Sequence, residues 1–391
     1  MSDLCELCGG EALESVYAPE RSSRGLQVYL CRGCGLVQSL PRIDRAPRAP
    51  AAVSGGADWG NIRYGKAFRA EAVLNALRAQ TDLTADLVVL DVGSNRGSFG
   101  RMLLEAAPRA TLVAVEPDER VASSCASLER TELICARIED VPLENERFDI
   151  IHSCHTIEHL AHPGHVLDDH WRTLKPGGLL VLDAPNIAII GAEDIVEEWF
   201  IDKHLYHFSP RTLTRLLQNS GFEIVSGPES GDRENLLIVA RKSPRRQSVT
   251  FEEDGPEVRA AEDLLALYIG NRARNLIALT TVAAELARYA PRRVAIWGAG
   301  RLFDALVTHG GYSPGLPALL IDTHLSRFVS ERFGVPVAKP EAIAAVRPEV
   351  IVVMSRRFAD EIAREARLLV PEAEIVAYAD LLARARLAQA A

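Results

Sequence analysis

Residues 87–100 read Leu-Val-Val-Leu-Asp-Val-Gly-Ser-Asn-Arg-Gly-Ser-Phe-Gly. An apolar run ends at Asp91, a turn bearing Gly93 and Gly97 follows at once, and from Phe99 the apolar spacing is helical. The stretch therefore predicts a buried parallel strand, a tight loop and a helix start. Such a loop needs glycine because glycine takes positive φ, and because its missing Cβ lets a ligand lie against the backbone.

The next segments extend the pattern. Thr111-Leu-Val-Ala-Val reads as a second short strand, closed by Glu116, 19 positions after Gly97. A carboxylate at that strand tip is placed to accept both hydroxyls of a ribose. Phe148-Asp-Ile-Ile-His-Ser-Cys154 reads as a third strand after an acidic loop, followed by His155-Thr-Ile-Glu158-His159-Leu and a helix. Leu174-Lys-Pro-Gly-Gly178-Leu-Leu-Val-Leu closes the set as a turn and strand. These four motifs, in this order and spacing, resemble the class I S-adenosylmethionine-dependent methyltransferases.

At 391 residues the chain is long enough for two or three domains. Hydrophobic content of 48% with 25% charged residues is that of an ordinary globular protein. A net charge of −9 argues against a nucleic-acid partner held through its phosphates. No apolar run approaches the roughly 20 residues of a membrane span, and the opening Met-Ser-Asp-Leu-Cys-Glu-Leu-Cys has no basic, apolar leader. The expectation is a cytoplasmic protein with no membrane partner.

Seven cysteines fall into two classes. Cys5-x-x-Cys8 and Cys31-x-x-Cys34 are two pairs separated by 22 residues; Cys125, Cys135 and Cys154 stand alone. Two such turns can complete a tetrahedral shell of four thiolates around Zn²⁺, and so short a segment needs the metal to fold. Four thiolates leave no open position, so the predicted zinc is structural. Disulfides, a redox pair and a DNA-binding ribbon are the alternatives. Reducing surroundings, the missing βαβ context and the absence of a basic cluster count against each in turn.

The chain then divides as 1–55, a zinc-binding ribbon and linker; 56–242, the core; and 243–391, a further domain. Residues 41–58 are rich in Pro, Ala and Gly, and 243–256 are polar with Pro and Gly. Glu257–Tyr289 has long helical spacing. Arg293-Val-Ala-Ile-Trp-Gly-Ala-Gly300 then opens a second strand-and-loop unit, with strands ending at Asp322 and Met354. The predicted class is α/β: a Rossmann-like core, an N-terminal zinc ribbon and a C-terminal second Rossmann-like domain. Asp322 lies 22 residues after Gly300, so this second loop keeps NAD open as a ligand.

This three-part layout resembles the sugar C-methyltransferases, which act on nucleotide-linked keto-deoxysugars. The resemblance implies a nucleotide-linked sugar as substrate, enclosed in part by the C-terminal domain. The family's active-site stretch, approximately Tyr-x-Glu-His-x-x-Tyr-Phe-Ser, aligns with Ile201–Ser209 here. His204, Phe208 and Ser209 agree, whereas Ile201, Lys203 and His207 replace tyrosine, glutamate and tyrosine. Tyr64 stands where the family has an N-terminal active-site tyrosine.

A sulfonium methyl is already electrophilic, so the enzyme's task is to hold and deprotonate a nucleophile. A histidine suits that task near neutral pH. His204 is the expected base, with Tyr206, His207 and Tyr64 as partners or substrate contacts. The same stretch is equally consistent with a satisfied structural histidine. His155-x-x-Glu158-His159 matches the zinc-protease HxxEH pattern, but its place after a buried strand speaks for coincidence, and no metal is assigned there. For S-adenosylmethionine, Gly93, Ser94 and Gly97 should line the methionine and ribose. Asp91 should support the loop or reach the amino group, and Glu116 the ribose hydroxyls. Ile138 and Glu139 should flank the adenine, and His155 the sulfonium. The predicted function is methyl transfer to a small polar metabolite. The alternatives are an O- or N-methyltransferase on another small-molecule scaffold, a non-catalytic ligand-binding protein, and a dehydrogenase. The acceptor atom and the oligomeric state are left open.

Overall fold

The computed structural model describes residues 4–20, 22–42, 67–122, 125–228, 233–244, 253–327, 329–356 and 358–390. Tyr64 and most of both expected linkers lie outside the described residues. The described chain divides into two compact units: the first draws on Met1–Ala57, Tyr64–Ile189 and Phe200–Leu264, and the second on Ile190–Trp199 and Leu265–Ala391.

In the first unit, β1 (Leu13–Tyr17), β2 (Gln27–Cys31) and β3 (Val37–Leu40) form an antiparallel sheet. The main sheet contains β4 (Val88–Val92), β5 (Thr111–Val115), β6 (Thr131–Ile134), β7 (Phe148–Cys154) and β8 (Leu174–Pro185). The two-residue β9 (Tyr206–His207) pairs with β3, so the later chain completes the N-terminal sheet. β10 (Phe222–Ser226) and β11 (Asn235–Lys242) finish the main sheet, whose order is β10-β11-β8-β7-β4-β5-β6. Strands β6, β5, β4, β7 and β8 run parallel, while β11 and β10 are antiparallel additions.

The strands are apolar on both faces because each face is covered. Leu90, Val92, Val113, Val115 and Ile151 enter one core, and Val89, Leu112, Ala114 and Ile150 enter the other. This is the period-two alternation of a strand buried on both sides. Helix Ser98–Ala106 buries Phe99, Leu103 and Leu104, and helix Pro210–Asn219 starts at a Ser209–Thr212 capping box with proline in its first turn. The expected turn at Lys175–Gly178 is a bulge inside β8. Pairing with β7 steps from Phe148–Leu174 to Ile150–Leu179, and Gly177 takes φ +75°. β4 lies between β5 and β7, where chain order reverses, and the crevice at the carboxyl ends there is the ligand position of such sheets.

The second unit is also α/β. Its sheet contains β12 (Val294–Trp297), β13 (Leu319–Ile321), β14 (Glu331–Arg332), β15 (Val335–Ala338), β16 (Val350–Val353) and β17 (Glu374–Ala377). The order is β14-β15-β13-β12-β16-β17, parallel except for β14. Helices Arg301–Thr308 and Ala359–Leu369 belong to this unit.

Candidate active site

The loop after β4 folds over the end of β5. Gly93 N–H and Ser94 N–H donate to the Val115 carbonyl at 2.8 and 3.1 Å. Gly93 and Gly97 take φ of +71° and +72°, where a side chain would be strained. A Cβ on Gly93 would also lie 2.3 Å from Thr156 Oγ1, so the turn after β7 lies against this loop. The buried Glu116 carboxylate accepts Asn95 N–H and Asp118 N–H, each at 2.9 Å, and thereby fixes the loop.

A cleft opens beside this loop, lined by Arg69, Asp91, Gly93, Ser94, Ser98, Phe99, His152 and Cys154 among others. His152 Nδ1 lies 2.7 Å from Asp91 Oδ1, and Phe99 stacks on its ring at 3.7 Å. The remaining polar atoms of the pair, Asp91 Oδ2 and His152 Nε2, are buried without a hydrogen-bond partner. Behind them, Arg69 makes a two-point ion pair with the fully buried Asp183, at 2.5 and 2.8 Å. A buried acceptor left unmatched at a glycine loop fits a ligand bearing a cationic donor, as the α-ammonium of S-adenosylmethionine does.

Of the residues expected to bind cofactor, Asp91, Gly93 and Ser94 line the cleft, and Glu116 reaches the same loop. Gly97 sits at the helix start, where a Cβ would approach Cys125 Sγ to 2.9 Å. Ile138 is buried in the core and Glu139 is exposed, both in the 3₁₀ turn Ile138–Asp140. His155 takes φ +48°, and its Nε2 lies 3.0 Å from Asn235 Oδ1. Arg69, Phe99 and His152 line the cleft without having been expected there. His152 and Cys154 lie two apart on β7 and so share a face, which is the one local signal that pointed to them. Arg69 carried no such signal, because the helix supplying it approaches only in the folded chain.

The expected acceptor residues separate. Leu205 N–H donates to the Glu158 carbonyl, and His204 packs on His159 at 4.8 Å between rings. Tyr206 and His207 are instead buried in β9: Tyr206 donates its hydroxyl to the Ala161 carbonyl, and His207 Nε2 pairs with Ser39 Oγ at 3.0 Å. Burial pushes the His207 imidazole down to about 3. Neither side chain lines the cleft.

The four N-terminal cysteines converge, their sulfurs all within 4.8 Å, with Cys5–Cys34 and Cys8–Cys31 at 3.5 Å. An S4 shell around zinc at about 2.3 Å has sulfur–sulfur edges of about 3.8 Å, so the four thiols fit that ion after a small adjustment.

Residues 64–227 match the model of a methyltransferase-domain family. A Mycolicibacterium smegmatis protein described as a probable S-adenosylmethionine-dependent methyltransferase is 27% identical over 35% of this chain and 52% of its own length. An uncharacterized methyltransferase of Mycolicibacterium vanbaalenii is 32% identical over 25% and 39%. The malonyl-[acyl-carrier protein] O-methyltransferase of a Marinomonas species is 26% identical over 33% and 49%. The chain thus spans about half the length, or less, of each of these curated relatives. The strand order and the glycine loop agree with this kinship, and residues 64–227 are similar to the methyltransferase domains of S-adenosylmethionine-dependent enzymes.

Proposed function

We propose that the protein transfers the methyl group of S-adenosylmethionine to a small polar metabolite, with a nucleotide-linked keto- or hydroxysugar as the acceptor class. The observation that carries the cofactor half is the unpartnered Asp91 Oδ2 beside the glycine loop. In this reading Asp91 holds the α-ammonium, Gly93, Ser94 and Gly97 give room for methionine and ribose, and Glu116 turns from loop amides to the ribose hydroxyls. Ile138 and Glu139 flank adenine, and His155 stands on the sulfonium side. S-Adenosylmethionine supplies the electrophilic methyl; the chain binds it and prepares the acceptor.

His204 is the residue assigned to removing the acceptor proton, supported by its match to the sugar C-methyltransferase stretch and its place against the turn after β7. The burial of Tyr206 and His207 leaves them as supports for that segment. Cys5, Cys8, Cys31 and Cys34 hold a structural Zn²⁺. A second reading, O- or N-methylation of another scaffold, is favoured by Ile201 and Lys203, where the C-methylating family carries tyrosine and glutamate.

The test is incubation with methyl-labelled S-adenosylmethionine and a panel of nucleotide-linked 4-keto and hydroxy sugars. Transfer that disappears in His204→Ala while cofactor binding persists supports the assignment. The position of the label distinguishes carbon from oxygen. Tight cofactor binding without transfer to any sugar discards the sugar reading.

A further inference from the structure

The turn after β7 holds a buried charge that the methyl-transfer reading leaves unexplained. The Glu158 side chain is 1% exposed, and neither carboxylate oxygen has a hydrogen-bond partner. Two imidazoles face its Oε1: His159 Nε2 at 3.6 Å and His155 Nδ1 at 3.7 Å. The far nitrogen of each ring is already engaged. His159 Nδ1 lies 2.8 Å from the Lys203 carbonyl, which can only accept, so this nitrogen carries the proton. His155 Nε2 lies 3.0 Å from Asn235 Oδ1 and donates in the same way. In the neutral rings, then, the nitrogens turned toward the carboxylate present lone pairs.

A buried carboxylate facing lone pairs needs a cation between them. Protons on the rings would draw each contact to about 2.7–2.9 Å as a charge-assisted hydrogen bond. The observed 3.6 and 3.7 Å are too long for that. The His159 contact matches instead the edge between two donors of one ion, about 3.4 Å for a tetrahedral shell at about 2.1 Å. A third donor stands by: donor atoms of Glu158, His159 and His204 all lie within 4.8 Å of one another. The His159–Lys203 bond is also the support that metal-binding histidines ordinarily receive from a backbone carbonyl.

We propose that Glu158, His159 and His204 bind a divalent first-row transition ion, such as Zn²⁺, Co²⁺ or Fe²⁺, at the carboxyl end of β7. Two imidazoles and one carboxylate suit these ions and leave coordination positions open. The site lies on the turn that leaves β7, four residues beyond Cys154 of the cleft, and Thr156 of that turn lies against Gly93. The open positions therefore take a pair of adjacent oxygens on the acceptor, a diol or a hydroxyketone. This inference rests on the acceptor lying beside His204, and it makes His204 an ion ligand. With the ion bound, the metal would lower the pKa of an acceptor hydroxyl coordinated to it, and that proton would pass to solvent water; His204 takes the proton itself only in the ion-free enzyme.

The test titrates Co²⁺ into the full-length protein with its cysteine site filled by zinc, without S-adenosylmethionine or acceptor. Its outcome is therefore independent of methyl transfer. One equivalent of cobalt with visible d–d absorption and no thiolate charge-transfer band is expected. Glu158→Gln, which preserves shape, and His159→Ala, at a partly exposed side chain, should each weaken binding at least tenfold while S-adenosylmethionine binding persists. No binding at millimolar cobalt overturns the proposal. So does a thiolate charge-transfer band, and so does binding that both variants leave unchanged.

Discussion

The molecule builds a glycine loop after a buried parallel strand twice, and only one of the two is furnished for a charged ligand. After β4, the strand itself supplies Asp91, half-satisfied by His152 and otherwise open to the cleft. The acid at the end of the neighbouring strand, Glu116, reaches back to the loop through Asn95 N–H. After β12 the strand is Val-Ala-Ile-Trp, with no acid. There Gly298 takes φ +111°, and a Cβ on it would lie 2.4 Å from the Met354 carbonyl oxygen. Asp322, the counterpart of Glu116, caps its own following turn through His324 N–H and Leu325 N–H. Glycine in the second loop serves close packing of backbone on backbone; in the first it stands beside a polar cleft. Glycine spacing alone does not separate these two uses.

That contrast can be broken by experiment, beginning with the largest effect. Arg69→Ala strands Asp183 as a buried, uncompensated charge behind the first loop. Denaturant unfolding of the first unit should show a loss of about 3–5 kcal/mol; a loss under 1 kcal/mol would mean that the ion pair is solvated. Gly298→Ala comes next, at about 3 kcal/mol in the second unit, since it meets backbone that cannot yield. Gly93→Ala meets the Thr156 hydroxyl, a side chain that can rotate, so its stability cost should be smaller and its effect on S-adenosylmethionine binding larger. Equal stability losses at the two glycines would erase the distinction drawn between the loops.

Asp91→Asn keeps the shape and removes the charge, and calorimetry should find S-adenosylmethionine affinity lower by about 10- to 100-fold. Asp322→Asn should leave that affinity unchanged, and NAD should give no thermal shift. An NAD-induced shift lost in Asp322→Asn would restore the second loop as a dinucleotide site.

The last effect is a pH dependence confined to the first unit, small near neutrality and growing as the pH falls. His207 and His170 are buried, and desolvation of the cation pushes their imidazoles down to about 3 and about 4. The folded state keeps both neutral, while the unfolded chain takes up protons below about pH 6.5. Stability should therefore be full above pH 6.5. It should fall by about 1.4 kcal/mol per pH unit for each histidine as the pH drops toward 4. Hydrogen exchange at pH 7 and pH 5 would locate the loss; a decline shared equally with the second unit would contradict it.

The legible part of this protein was what chain-local physics controls. The strands at 87–92, 111–115 and 148–154, the loop glycines and the cysteine pairs announce themselves through period, φ preference and spacing. The acceptor stretch was less legible. Tyr206 and His207 look like site residues beside His204, but β9 adds to the N-terminal sheet, and both side chains are buried there.

The sequence by itself determined the α/β alternation and the order of motifs that mark a methyltransferase domain, because both follow from hydrophobic period and glycine's backbone freedom. Only the tertiary structure decided that Arg69 backs the cleft, that His152 completes Asp91, and that Glu158 lies buried between two imidazoles. Those are relations between segments 61 to 114 residues apart, or orientations set by a turn's packing. No local pattern encodes them, because the free energy that fixes them comes from burial and pairing, which exist only once the chain has closed on itself.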